Sequence, residues 1–93
     1  MERKKLAPDE ILANLAETED WHAENDILSR RFEFKDFAQA LEFVNQVGAI
    51  AEKHDHHPDI AFGWGYAEIS LTTHDRGGIT AFDFAVAKEV SEI

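Results

Sequence analysis

No cysteine occurs in the 93 residues, which excludes disulfide crosslinks and thiolate chemistry and fits a reducing cytoplasm. No apolar run approaches the roughly 18 residues that a membrane-spanning helix requires. The basic start of the chain, Met1 to Lys5, is not followed by an apolar stretch, so neither a membrane partner nor a secretory signal is expected. Positive charge is also scarce, with 9 Lys and Arg against 19 Asp and Glu, for a net charge of −10. Nucleic-acid binding draws on cations that displace counterions from phosphates, so nucleic acid is not an expected partner. The one basic cluster, Arg3-Lys4-Lys5, reads as a solvated terminus. Internal repeats and low-complexity segments are absent.

What is present is the makeup of a single globular domain covering residues 1–93. A domain of this size buries only roughly 60–65% of its unfolded surface, so association with further copies would help its stability. Asp9 to Ala16 reads as a short helix that opens at Pro8 and carries Ile11, Leu12 and Leu15 on one side. Trp21 to Ala23 and Ile27 to Phe34 read as strands joined by the turn residues Glu24-Asn25-Asp26. Asp36, with Gln39 three residues on, starts a long helix that ends near Lys53 or His54. Phe37, Ala40, Leu41, Val44, Val47, Gly48 and Ala51 recur at helical period, and this stripe is the expected core face. Asp59 to Phe62 and Tyr66 to Thr73 read as a second hairpin around Gly63-Trp64-Gly65. The last helix begins at Thr80, with Phe82, Ala85, Val86, Val90 and Ile93 as its apolar residues. Two hairpins with intervening helices predict an α+β fold in the order α-β-β-α-β-β-α. Its four-stranded antiparallel sheet should be covered by helices on one face and wet on the other.

Four of the five histidines lie between positions 54 and 74. A hairpin centred near Trp64 pairs residues equidistant from it. That brings position 56 near 72 and position 54 near 74, so His56, His57 and His74 should share one end of the sheet. Imidazoles titrate near neutral pH and can donate or accept a proton without a large shift. Such a cluster suits expulsion of hydroxide from a substrate carbon without any cofactor. Three other readings stand beside it. The histidines could cap a helix or be solvated. With His54 and a carboxylate from Asp55, Asp59 or Asp75 they could also ligate a metal, although the spacing matches no diagnostic ligand set. Finally, the domain could be a non-catalytic binding module.

The stretch Glu52-Lys53-His54-Asp55-His56-His57-Pro58-Asp59 resembles the E-K-x-x-H-H-P-[DE] signature of pterin-4a-carbinolamine dehydratases. Ile69 to His74 is similar to the family's strand ending in Thr-His, and Gly78 to Asp83 to its G-[LI]-[TS]-x-x-D helix start. The resemblance runs from about Leu12 to Ile93 and includes Trp21 and the strand Arg31-Phe32-Glu33-Phe34. It implies dehydration of a 4a-hydroxytetrahydropterin, a small-molecule pterin substrate, no cofactor and no metal. It also implies a homodimer or homotetramer. His56, His57 and His74 are its implied catalytic residues, with Glu52, Asp83 and Trp21 as substrate-binding or supporting groups. Thr80-x-x-Asp83 equally reads as a helix cap. Trp21 equally reads as core, and Glu52 lies in the last turn of its helix, where a carboxylate is mildly unfavourable. Phe82 stands where some members carry arginine, and Phe62-Gly63-Trp64-Gly65 is glycine-rich where many members have Asn and Val. Some animal relatives bind a homeodomain transcription factor, which is the form a binding-module reading would take.

Overall fold

Two tight reversals organise the sheet. In the computed structural model, which describes residues 3–93, Asn25 and Asp26 both adopt positive φ (53° and 64°). Consecutive left-handed residues match the twist of a two-residue hairpin, and Asn and Asp tolerate that conformation best among residues with a Cβ. They join β1 (His22–Glu24) to β2 (Ile27–Glu33). Trp64-Gly65, with Gly65 at φ 81°, joins β3 (Asp59–Gly63) to β4 (Tyr66–Leu71). The sheet is antiparallel throughout, in the order β1-β2-β4-β3. The β3–β4 register pairs Gly63 with Tyr66 and Asp59 with Ser70. Continued outward, it sets His56 level with Thr73, within one residue of the expectation.

The helices α1 (Pro8–Ala16), α2 (Phe37–His54) and α3 (Ala81–Ser91) complete the expected order. Asp36 caps α2 by accepting the Gln39 N–H (2.9 Å), while the Gln39 side-chain oxygen accepts the Lys35 N–H. The buried core runs from Leu28, Ala67, Ile69 and Leu71 of the sheet to Phe43, Val47 and Ala51 of α2. Phe84, Val86, Ala87 and Val90 of α3 complete it, with Trp21 and Ile79 from the connections. On the opposite sheet face, Arg31 bonds Glu33 and Glu68 and lies over the Tyr66 ring. That is the wet face of a one-sided sheet.

Three details differ from expectation. Phe43, which falls outside the α2 stripe, is buried, whereas Phe37 and Leu41 are 45% and 40% exposed. The helix has apolar residues over an arc wider than the sheet covers. Stacking of Phe43 on Phe32 (4.5 Å between centroids) and Phe34 (5.0 Å) decides which part faces inward. In α3, the buried residues include Phe84 and Ala87, while Phe82 and Ala85 are only half-buried and Ile93 is exposed. In α1, Leu12 points to solvent (68% exposed), leaving Ile11 and Leu15 against the core.

Candidate functional site

The end of α2 builds the site. Asp55 takes a left-handed conformation (φ 50°), and the His56 N–H bonds the Ala51 carbonyl (3.1 Å). This pattern ends a helix and folds the chain back. Pro58 then commits the chain to extended geometry. His56 is thereby carried inward (8% exposed) while His57 stays at the rim. On the neighbouring strand, β4 runs into a 3-10 turn, His74–Arg76, closed by Gly77 at φ 71°. That turn sets His74 on the surface opposite.

A depression of about 320 Å³ lies between these two corners, lined by His56, His57 and His74. Thr72, Thr73, Asp55, Asp75 and Arg3 complete its wall. The three histidines singled out from the sequence are thus gathered around one cavity. His54 is not among them: its Nε2 meets Glu89 of α3 at 2.6 Å. Among the described residues no three His, Asp or Glu side chains form a group able to hold a metal ion.

Asp83, fully buried, sits beneath the cavity and accepts hydrogen bonds from three groups. His56 Nε2–H donates to Asp83 Oδ1 (2.5 Å). The Thr73 hydroxyl (2.9 Å) and the Thr80 backbone N–H (2.8 Å) donate to Oδ2. Because Thr73 spends its one proton on Asp83, Thr80 must donate to Thr73 (2.8 Å). Thr80 then accepts the Phe82 N–H (3.2 Å). Every member has a partner, so the network fixes a single ring orientation for His56. In the neutral ring this tautomer leaves Nδ1 as the lone-pair atom. Asp83 therefore both caps α3 and anchors a histidine. The other supporting carboxylate, Glu52, meets Nε2 of His57 in a solvent-exposed pair.

Trp21 is not brought to this cluster. It is buried (4% exposed), with its indole N–H donating to Ser91 Oγ (2.8 Å) and its edge against Phe32. It lies where α3 ends, whereas Asp83 and His56 lie where α3 begins. A larger hollow of about 750 Å³ borders that far end, between Asp20, Arg30, Lys88 and Ser91. It contains no histidine, and its two cations already pair with Asp20 and Glu17. The smaller cavity is therefore the better candidate for proton-transfer chemistry. Sequence reasoning missed Thr73 and Arg3. Thr73 is the buried hydroxyl that the strand pattern places on the inner face. Arg3, read as solvated, bonds Asp75 (2.7 Å) and lies 5.5 Å from the Phe82 ring centroid. That contact holds the Asp75 carboxyl below the usual range.

The fold and the cavity together define a small α+β domain that presents an imidazole cluster, braced by carboxylates, at one end of an antiparallel sheet. The family described as Pterin 4 alpha carbinolamine dehydratase matches residues 4–93. A Sulfolobus acidocaldarius protein named provisionally as a pterin-4-alpha-carbinolamine dehydratase is 40% identical over 89 residues, covering 96% of this chain and 98% of its own. The crystal structure of a Brucella melitensis protein described as a transcriptional coactivator/pterin dehydratase superposes with a TM-score of 0.91 at 30% identity. It covers 96% of this chain and 97% of that one. A pterin dehydratase-like protein identified as a RuBisCO assembly factor in the alpha-carboxysome superposes with a TM-score of 0.64 at 27% identity, over 77% of this chain and 83% of that one. The chain belongs to the pterin-4-alpha-carbinolamine dehydratase family, a family of hydro-lyases.

Proposed function

We propose that the chain dehydrates a 4a-hydroxytetrahydropterin to the quinonoid dihydropterin, using histidines as acid and base. The reaction would recycle the pterin cofactor of aromatic amino acid hydroxylases. The observation that carries this reading is the convergence of His56, His57 and His74 on one cavity. The step breaks the C4a–O bond and forms a C4a=N5 double bond. One proton goes to the departing oxygen, and N5 gives one up, so water leaves and no redox cofactor or metal is required. Two mobile imidazoles and one fixed one suit that division. His57 and His74, at the rim, exchange the protons. His56, locked on Asp83, positions the substrate. Glu52 steadies His57, and Trp21 supports the domain from its core rather than by contact with substrate.

The small-molecule pterin is the partner in this reading, in the cytoplasm, with neither nucleic acid nor membrane involved. A homodimer or homotetramer is supported by the open edge of β3. Beside that edge Phe37 and Trp64 are exposed, with Phe37 stacked on Phe62 (5.5 Å). The likeness to a carboxysome assembly factor favours a second reading, a non-catalytic accessory module of the same fold. The test generates the 4a-hydroxypterin with a pterin-dependent hydroxylase and follows its decay by ultraviolet absorbance, with a chelator present. Faster decay with the wild-type chain, lost in His57→Ala, is the expected result. No acceleration by folded wild-type chain would sink the dehydratase reading in favour of the accessory module.

A further inference from the structure

The segment that precedes α1 is tied to the chain just before α3 and to the β1–β2 turn by several contacts. The Leu6 N–H bonds the Ile79 carbonyl (2.8 Å), and the Leu6 side chain is buried. The Lys5 stem passes directly over Gly78, where an added Cβ would come within 2.7 Å of Lys5 Cε. Lys5 also faces Asp26 across the sheet end (3.5 Å). These ties deliver Arg3 to the cavity wall, between Asp75 on one side and the Phe82 ring on the other. Phe82 in turn neighbours His56 (6.1 Å between ring centroids).

Arg3 is the one lysine or arginine among the described residues that line the cavity. Its guanidinium carries five N–H donors. Asp75 takes one, and no other side chain among the described residues accepts a hydrogen bond from it. A donor-rich group that is already immobilised by an ion pair and an aromatic face loses little freedom when it engages a ligand. Among the other cavity side chains, the Thr72 and Thr73 hydroxyls already donate to the Asp26 carbonyl and to Asp83, and the imidazoles serve proton transfer and positioning.

We propose that Arg3 is a substrate-binding residue, donating from the guanidinium to an acceptor atom of the pterin such as its ring carbonyl oxygen. The strap of residues 3–6 is then part of the binding wall. This assignment rests on the dehydratase reading. Arg3 supplies affinity and orientation, whereas His57 and His74 supply the proton transfers. Its removal should therefore act on KM far more than on kcat.

The experiment compares the full wild-type chain with Arg3→Gln and Arg3→Lys. It measures KM and kcat in the coupled decay assay, the dissociation constant of 7,8-dihydrobiopterin by calorimetry, and the unfolding midpoint. A charge-assisted hydrogen bond at a partly exposed site is worth about a tenfold change in binding. Arg3→Gln is expected to raise both KM and the dissociation constant by about that factor while kcat stays within about twofold. Arg3→Lys should recover part of the loss, because it keeps the charge without the fork. An active wild type with an unchanged KM in Arg3→Gln overturns the assignment. Equal losses in both variants, together with a lowered unfolding midpoint, also overturn it, since Arg3 would then only fasten the strap. A folded wild type that neither binds dihydrobiopterin nor accelerates decay overturns the dehydratase reading, and the role of Arg3 falls with it.

Discussion

The same chemical pair, a histidine against a carboxylate, occurs at the floor and at the rim of the cavity, and burial gives the two pairs different work. At the floor, His56 and Asp83 are 8% and 0% exposed, and both Asp83 oxygens are engaged. At the rim, His57 and Glu52 are 55% and 78% exposed and, among the described residues, their side chains bond only each other. A buried pair cannot give up a partner without stranding a charge or a polar group in low dielectric. An exposed pair can exchange its partner for water at small cost. The floor therefore fixes a ring, and the rim leaves a ring free to turn and pass a proton.

The strongest way to break this contrast is at Asp83. Asp83→Ala leaves His56, Thr73 and the Thr80 N–H without acceptors and should destabilise the chain by about 3 kcal/mol in urea unfolding. A loss below about 1 kcal/mol would mean that the floor is no more rigid than the rim.

At the rim the order of effects inverts. His57→Ala should lower turnover by about a hundredfold and leave stability within about 0.5 kcal/mol, as at other exposed positions. A large shift in unfolding midpoint would return His57 to a structural role. Glu52→Gln should be milder still, within about fivefold in turnover, the ceiling expected of an exposed pair. A hundredfold loss there would place Glu52 in the proton transfer itself.

A third pair lies between these extremes and sharpens the comparison. His54 and Glu89 are 23% and 32% exposed, and Glu89 also bonds Lys53, tying the end of α2 to α3. Lys53 first and His54 second hold the Glu89 carboxyl below the ordinary glutamate value of 4.5. A depressed carboxyl contributes stability that is fully present above pH 4.5 and is lost as pH falls through the lowered value. The stability difference between wild type and Glu89→Gln should therefore close as the pH drops below 4.5. A difference that persists undiminished at pH 3 would show that the contact works through packing rather than charge.

Much of the fold was legible in local chemistry. Asn25-Asp26 and Trp64-Gly65 announce turns, alternation in Tyr66 to Leu71 announces a one-sided strand, and Asp36 and Thr80 announce helix starts. The turn position also set the β3–β4 register, and so brought His56 and His57 to the same sheet end as His74. The face of α2 was not legible. Phe37, Leu41 and Phe43 are equally apolar, and the hydrophobic effect has no direction of its own. The choice fell to Phe32 and Phe34, whose rings pack directly against Phe43.

The sequence by itself determined the order of elements, the two hairpins and the gathering of three imidazoles at one end. These follow from backbone preferences and from period-two geometry, both of which act over a few residues. Only the tertiary structure decided which histidine is buried on Asp83 and which stays at the rim. It alone set Trp21 against Ser91 at the far end of α3, and it alone folded Arg3 over Phe82 into the cavity wall. Each of those depends on contacts between residues 27 to 79 positions apart in the chain. Such contacts are selected by packing and by the need to partner buried polar groups, and no local pattern carries that information.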